Sequence, residues 1–185
     1  MRSPLPRLFA LALPTLAALL LAGCWESKEL LLDPAHAARP FADGVWSRTD
    51  GQDSQRLTSI AGGFYRVHGI GEADAADDAK MLFTPLGDVN GKPAYAFAMR
   101  SINDDQLDNW TYGVVRVDGA AFEEWAPSCN DTAELAKRHG ATVDQEHGGE
   151  CVFAKGDELI AALKELAQGS RFDQRYDRRA ESGTP

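Results

Sequence analysis

The stretch KMLFTPLGDVNGKPAYAFAMR, residues 80–100, decides the fold class. Two runs rich in aromatic and branched residues flank Asn90-Gly91, a favoured two-residue hairpin turn because both residues tolerate positive φ. Pairing Val89 with Lys92 puts Leu82, Leu86, Tyr95, Phe97 and Met99 on one face of the hairpin and Ala94, Ala96 and Ala98 on the other. The bulkier set is expected to face the core.

Similar runs lie on both sides of this hairpin. GVWSRT (44–49), RLTSIA (56–61), FYRVHGI (64–70), WTYGVVRV (110–117) and AFEEWA (121–126) are separated by Gly, Asp and Asn. Asp118-Gly119 reads as a second tight turn. Pairing Val117 with Ala120 across it sets Val115 against Phe122 on one face and Tyr112 against Trp125 on the other. Two helical patterns follow. NDTAELAKRHG offers Asn130 or Asp131 as N-cap and Gly140 as stop, and GDELIAALKELAQG offers Asp157 as cap, Leu159, Ile160, Leu163 and Leu166 at helical spacing, and Gly169 as end. CVFA (151–154) reads as a short strand between them. The expected fold is α+β, an antiparallel β-meander forming a curved sheet or partly closed barrel of about seven to eight strands, followed by two C-terminal helices.

The N-terminal region carries a different signal. Arg2 and Arg7 precede an apolar run, Leu8 to Gly23, that is interrupted by Pro14 and is short for a span needing about 20 residues. Leu21-Ala22-Gly23-Cys24 resembles the lipobox of bacterial lipoproteins. That resemblance covers roughly the first 24 residues. It implies cleavage before Cys24, a diacylglycerol on its sulfur and an acylated amino group, an anchor of more than one chain and therefore stable. By the enterobacterial sorting pattern, Trp25 resembles the residue following the cysteine in lipoproteins bound for the outer membrane. The chain divides into a cleaved signal (1–23), a tether and entry segment (24–42), one globular domain (43–171) and a polar C-terminal tail (172–185). A flexible tether of that length would hold the domain within roughly 20 to 30 Å of the membrane.

Removing 23 of 185 residues takes two of the 19 Lys and Arg and none of the 28 Asp and Glu, leaving 162 residues with 17 basic against 28 acidic groups, a net charge of −11. That size suits one domain, and the acidic balance argues against a nucleic-acid partner. With Cys24 given to lipid, Cys129 and Cys151 form an even pair for which a disulfide is the natural expectation in an exported protein, stabilising by roughly 3 kcal/mol. Zinc is the weaker alternative, because His139 and His147 lie between the two cysteines at a spacing of no compact zinc motif.

No catalytic residue, metal ligand or cofactor is assigned. No serine lies in G-x-S-x-G, and Gly69-Ile70-Gly71 is followed by acids rather than by the lysine of a phosphate loop. The acids at 72–78 and 104–108 lack EF-hand alternation and read as solvated loops. His68 has no recognisable partner, so an enzyme centred on it is the least supported reading. Tyr112, Arg116 and Trp125 are candidate ligand contacts on a concave sheet face, although Arg116 could equally pair with Glu123. The leading expectation is a non-enzymatic lipoprotein of the bacterial cell envelope, attached to the membrane through acylated Cys24, facing the periplasm from the outer membrane and acting on an envelope protein partner. A small-molecule-binding module is the alternative. Labelled palmitate is expected to enter the protein and to be lost in Cys24→Ala; an unlabelled, soluble wild-type protein would contradict the anchor.

Overall fold

The computed structural model describes residues 24–51, 53–70, 78–102, 109–144, 149–169, 172 and 174–179. Seven consecutive antiparallel strands form where the alternating runs predict them: β2 (Gly44–Arg48), β3 (Ser54–Ser59), β4 (Phe64–Gly69), β5 (Asp78–Val89), β6 (Lys92–Ser101), β7 (Trp110–Asp118) and β8 (Ala121–Trp125). Before them lies β1 (Trp25–Ser27). After them come α1 (Cys129–Arg138), β9 (Thr142–Asp144), β10 (Glu150–Val152), α2 (Gly156–Gln168) and β11 (Gln174–Arg178).

The sheet closes. β11 pairs with β8 on one side and β2 on the other, through Tyr176↔Phe122 and Tyr176↔Arg48, completing an eight-stranded antiparallel barrel. The segment set apart by its polarity as a tail therefore supplies the closing strand. The single apolar residue of β11, Tyr176, points inward and stacks on Phe122 at 4.8 Å, whereas Arg175 and Asp177 face out, so polar composition is compatible with pairing.

Asn90 and Gly91 both take positive φ, as the Asn-Gly turn requires, and Val89 faces Lys92. A bulge between Pro85 and Gly87 then shifts the register, so Leu82 opposes Ala98 and Phe83 opposes Phe97. Tyr95, Phe97 and Met99 thus face the barrel interior with Met81 and Phe83, while Leu82 and Leu86 join the alanines outside. In the second hairpin Asp118 pairs with Ala121, leaving Gly119-Ala120 as the turn with positive φ at Gly119 alone, the requirement of a type II′ turn. Val114, not Tyr112, therefore opposes Trp125, although the two faces keep the residues predicted for them.

Two cores result. Inside the barrel, Trp46, Leu57, Tyr65, Phe83, Phe97, Val115, Phe122 and Tyr176 surround Phe41, whose ring lies 4.7 Å from that of Phe122 and 5.1 Å from that of Phe83. Outside, α2 packs on β5, β6 and β7, where Ala94, Ala96 and Ala98 are buried beneath Leu159, Ala162, Leu163 and Leu166. Small side chains there let a helix approach closely, so the alanine face is a second packing surface rather than a solvent face. The helix caps differ from expectation: Ser128 and Lys155 occupy the N-cap positions, placing Asp131 and Asp157 within the first turns, where they complement the helix dipole.

The entry segment is docked along its length. β1 adds to β7 beyond the end of β8 (Trp25↔Tyr112), and β10 and β9 extend the sheet from β1. Trp25, Leu32 and Phe41 are each buried, Ala38 bridges Phe83, and a Cβ on Gly156 would lie 2.5 Å from the Leu31 carbonyl oxygen. Isolated apolar residues spaced by prolines show no periodicity in sequence, yet each enters a core. Truncation after Phe172 should expose Phe122 and the edges of β2 and β8, lowering the melting temperature by about 10 °C or more. Unchanged thermal unfolding would show that β11 does not close the barrel.

Candidate functional site

Cys24 forms a bridge with Ser128, and its carbonyl accepts the Cys151 amide at 3.3 Å. The side chain is half-buried, and burial, followed by the Glu26 carboxylate, pushes its thiol above the ordinary range. A reactive thiol needs the opposite shift, so these surroundings do not suit a nucleophile. Trp25, the next residue, is fully buried; its indole N–H donates to Thr132 Oγ1 at 2.8 Å and its ring lies 5.1 Å from that of Phe153.

Cys129 and Cys151 are joined in a disulfide with a Cα–Cα distance of 5.3 Å, linking α1 to β10 beside Trp25. His139 caps α1 through its backbone and meets Glu165 of α2 through Nε2 at 2.8 Å. His147 and the other member of the zinc alternative's histidine pair are therefore not both placed: His147 lies outside the described residues, as do most of the two acidic loops. No cluster of three metal-ligating side chains occurs among the described residues.

Tyr112, Arg116 and Trp125 all lie on the outer face of the barrel, not on a concave ligand-binding face. Tyr112 is buried, its hydroxyl bonding Ser27 Oγ at 2.7 Å, the Leu31 amide at 3.0 Å and the Glu29 carbonyl at 3.1 Å; it fastens the entry segment. Arg116 pairs with Glu123 at 2.6 Å and lies over the Phe172 ring. Trp125 alone of the three lines an open groove of about 480 Å³, between α1 and α2, whose floor includes Leu135 and Leu166 and whose rim includes Glu134, Arg138 and Glu165. The barrel interior, where a ligand would sit, is filled by aromatic rings.

The cluster with the clearest polar geometry is on the outer face of β4 and β5. His68 Nδ1 meets Asp78 Oδ1 at 2.6 Å, and Arg66 donates through Nε to Asp78 Oδ2 at 2.9 Å. Asp78 is buried while its two partners are exposed. Hydrogen bonds from Arg66 first and His68 second hold the Asp78 carboxyl below the ordinary carboxylate range. The carboxylate could orient the imidazole for proton transfer, yet among the described residues Asp78 is the one hydrogen-bond partner of His68, and no nucleophile joins it. Sequence reading missed the pairing of Asp78 with Arg66 because the turn read at Gly69-Ile70-Gly71 does not fix where β5 begins, and the pairing depends on the register of β4 against β5.

Comparison of the chain with known protein families, curated proteins and solved structures matches none of them.

A carboxylate whose pKa is depressed by folding stabilises above its unfolded pKa of about 3.9, and that stabilisation is lost as pH falls through the lower folded value. Asp78→Asn should therefore be less stable than the wild type at neutral pH, with the difference shrinking under strongly acid conditions. A difference independent of pH in chemical denaturation would assign Asp78 no ionic role.

Proposed function

We propose that this chain is a bacterial envelope lipoprotein, held to the membrane through acyl chains on Cys24 and acting non-enzymatically through contacts with another envelope protein. The observation that carries the protein-contact reading is the filled barrel. Phe41, Trp46, Phe83, Phe97, Phe122 and Tyr176 occupy the interior, while polar, charged and partly apolar surface lies outside it. A small-ligand module of the kind that uses a barrel cavity needs that space open.

The lipobox supplies the anchor in this reading. Because Trp25 is locked into the fold, the anchor has no slack. The domain body begins one residue after the acylated cysteine, so it sits directly against the membrane, in place of the loose tether expected from the sequence. The outer membrane's periplasmic face is the proposed location, following the residue after the cysteine.

In-cell crosslinking of the wild type should capture a defined envelope protein, and Cys24→Ala, freed from the membrane, should capture markedly less of it. Absence of any specific partner, combined with saturable uptake of a small molecule by the purified protein, would replace this reading with the ligand-binding one.

A further inference from the structure

An acyl group on the Cys24 nitrogen has no room to continue along the sheet. β1 joins β7 beyond the end of β8 with Trp25 opposite Tyr112, and continuing that register sets Cys24 beside Gly113. The next residue of β7, Val114, already has Trp125 as its partner, and a Cβ on Gly113 would lie 2.6 Å from the Trp125 carbonyl oxygen. One residue along a strand is about 3.4 Å. A chain on that nitrogen therefore meets Trp125 within its first few atoms and has to leave the sheet there.

The cleft between α1 and α2 opens at the same point. Trp125 lines it, as does Thr132, whose hydroxyl accepts the Trp25 indole N–H at 2.8 Å. Ser128, the N-cap of α1, bridges Cys24, so the cleft begins within one helical turn of the cysteine. Trp125, Ala133, Leu135 and Leu166 give it an apolar lining that is continuous with the outer core. Its rim charges engage one another: Arg138 and His139 both meet Glu165, and Lys137 meets Glu134. An apolar floor inside a rim of paired charges suits an occupant with no charge of its own. A cavity of about 150 Å³ takes the six carbons of benzene, so a cleft of about 480 Å³ has room for a chain of about 16 carbons.

We infer that the cleft between α1 and α2 seats the amide-linked acyl chain of Cys24, while the diacylglycerol on the sulfur holds the membrane. The inference rests on the lipoprotein reading for the existence of that chain, and it adds where the chain goes. Alternation along β1 sends the Trp25 ring toward α1 and the Cys24 side chain to the opposite face, so the two attachments diverge from one residue. A seated chain ties both helices to the anchor and fixes which end of the domain lies against the membrane.

The test feeds palmitate bearing a photoreactive diazirine to a bacterium expressing the full chain, and irradiates its membranes. The purified protein is mapped by mass spectrometry after mild alkali has released every ester-linked chain. Alkali-stable crosslinks from Cys24 to peptides of α1 or α2 are expected. Ala133→Trp, which puts a ring into the cleft from a half-buried position, should lower their yield at least about fivefold, whereas Ala133→Ser should retain them; thermal unfolding of each variant checks that it is folded. Alkali-stable crosslinks to phospholipid alone, or an equal yield in folded Ala133→Trp, would overturn the inference and leave the anchor standing. Cleft peptides joined only to alkali-labile chains would also overturn it, since the occupant would then be a bilayer lipid or the diacylglycerol. No label on Cys24 at all would remove the lipoprotein reading and this inference with it, so the two failures are distinct.

Discussion

The Trp25 ring is buried against Phe153 while its indole N–H donates to Thr132 of α1, and its backbone joins β7 on one side and β10 on the other. Few residues in a small domain connect so many elements. Through Trp25 the barrel, the disulfide-linked helix and the residue predicted to carry lipid share one rigid body. Removing the indole would leave a large cavity and take from the Thr132 hydroxyl the hydrogen bond it accepts, while the one it donates to the Ser128 carbonyl remains.

The barrel depends on a similar economy. Its interior is filled by rings contributed from six strands and from the entry segment, whose Phe41 amide and carbonyl both bond the Tyr65 hydroxyl, at 3.3 and 2.6 Å. A barrel of eight strands has an interior that side chains can just fill. Here the aromatic residues do so, and the outer face becomes the surface with variety: alanines under α2, a fork of Arg116 and Glu123 beside Phe172, and Asp78 with Arg66 and His68.

Much of this fold is legible in the sequence, for identifiable reasons. Asn90-Gly91 specifies its turn because both residues must take positive φ, and the repeated aromatic and branched runs mark β2 to β8 individually. The bulge at Pro85–Gly87 is not legible, and it alone moves Leu82 and Leu86 from one face to the other. β11 escapes recognition because a strand with one inward tyrosine and outward charges has the composition of a tail. The entry segment escapes because Trp25, Leu32 and Phe41 serve different cores and so show no common period. Of the candidate site residues, the Cys129 and Cys151 pairing follows from counting and the Arg116–Glu123 pair is one of the alternatives the sequence offers, whereas the role of Tyr112 requires knowing which side of the sheet is inside.

The central claim is that the chain becomes rigid immediately after Cys24, which turns an expected tether into a fixed mounting. Hydrogen exchange measured on the purified protein tests it most directly, read at the backbone amides of Glu26, Cys151 and Phe153 around β1. The account predicts protection there approaching that of β6 and β7, lost only on global unfolding. Exchange at the rate of an unstructured chain across residues 25–32, with the barrel still protected, would contradict it.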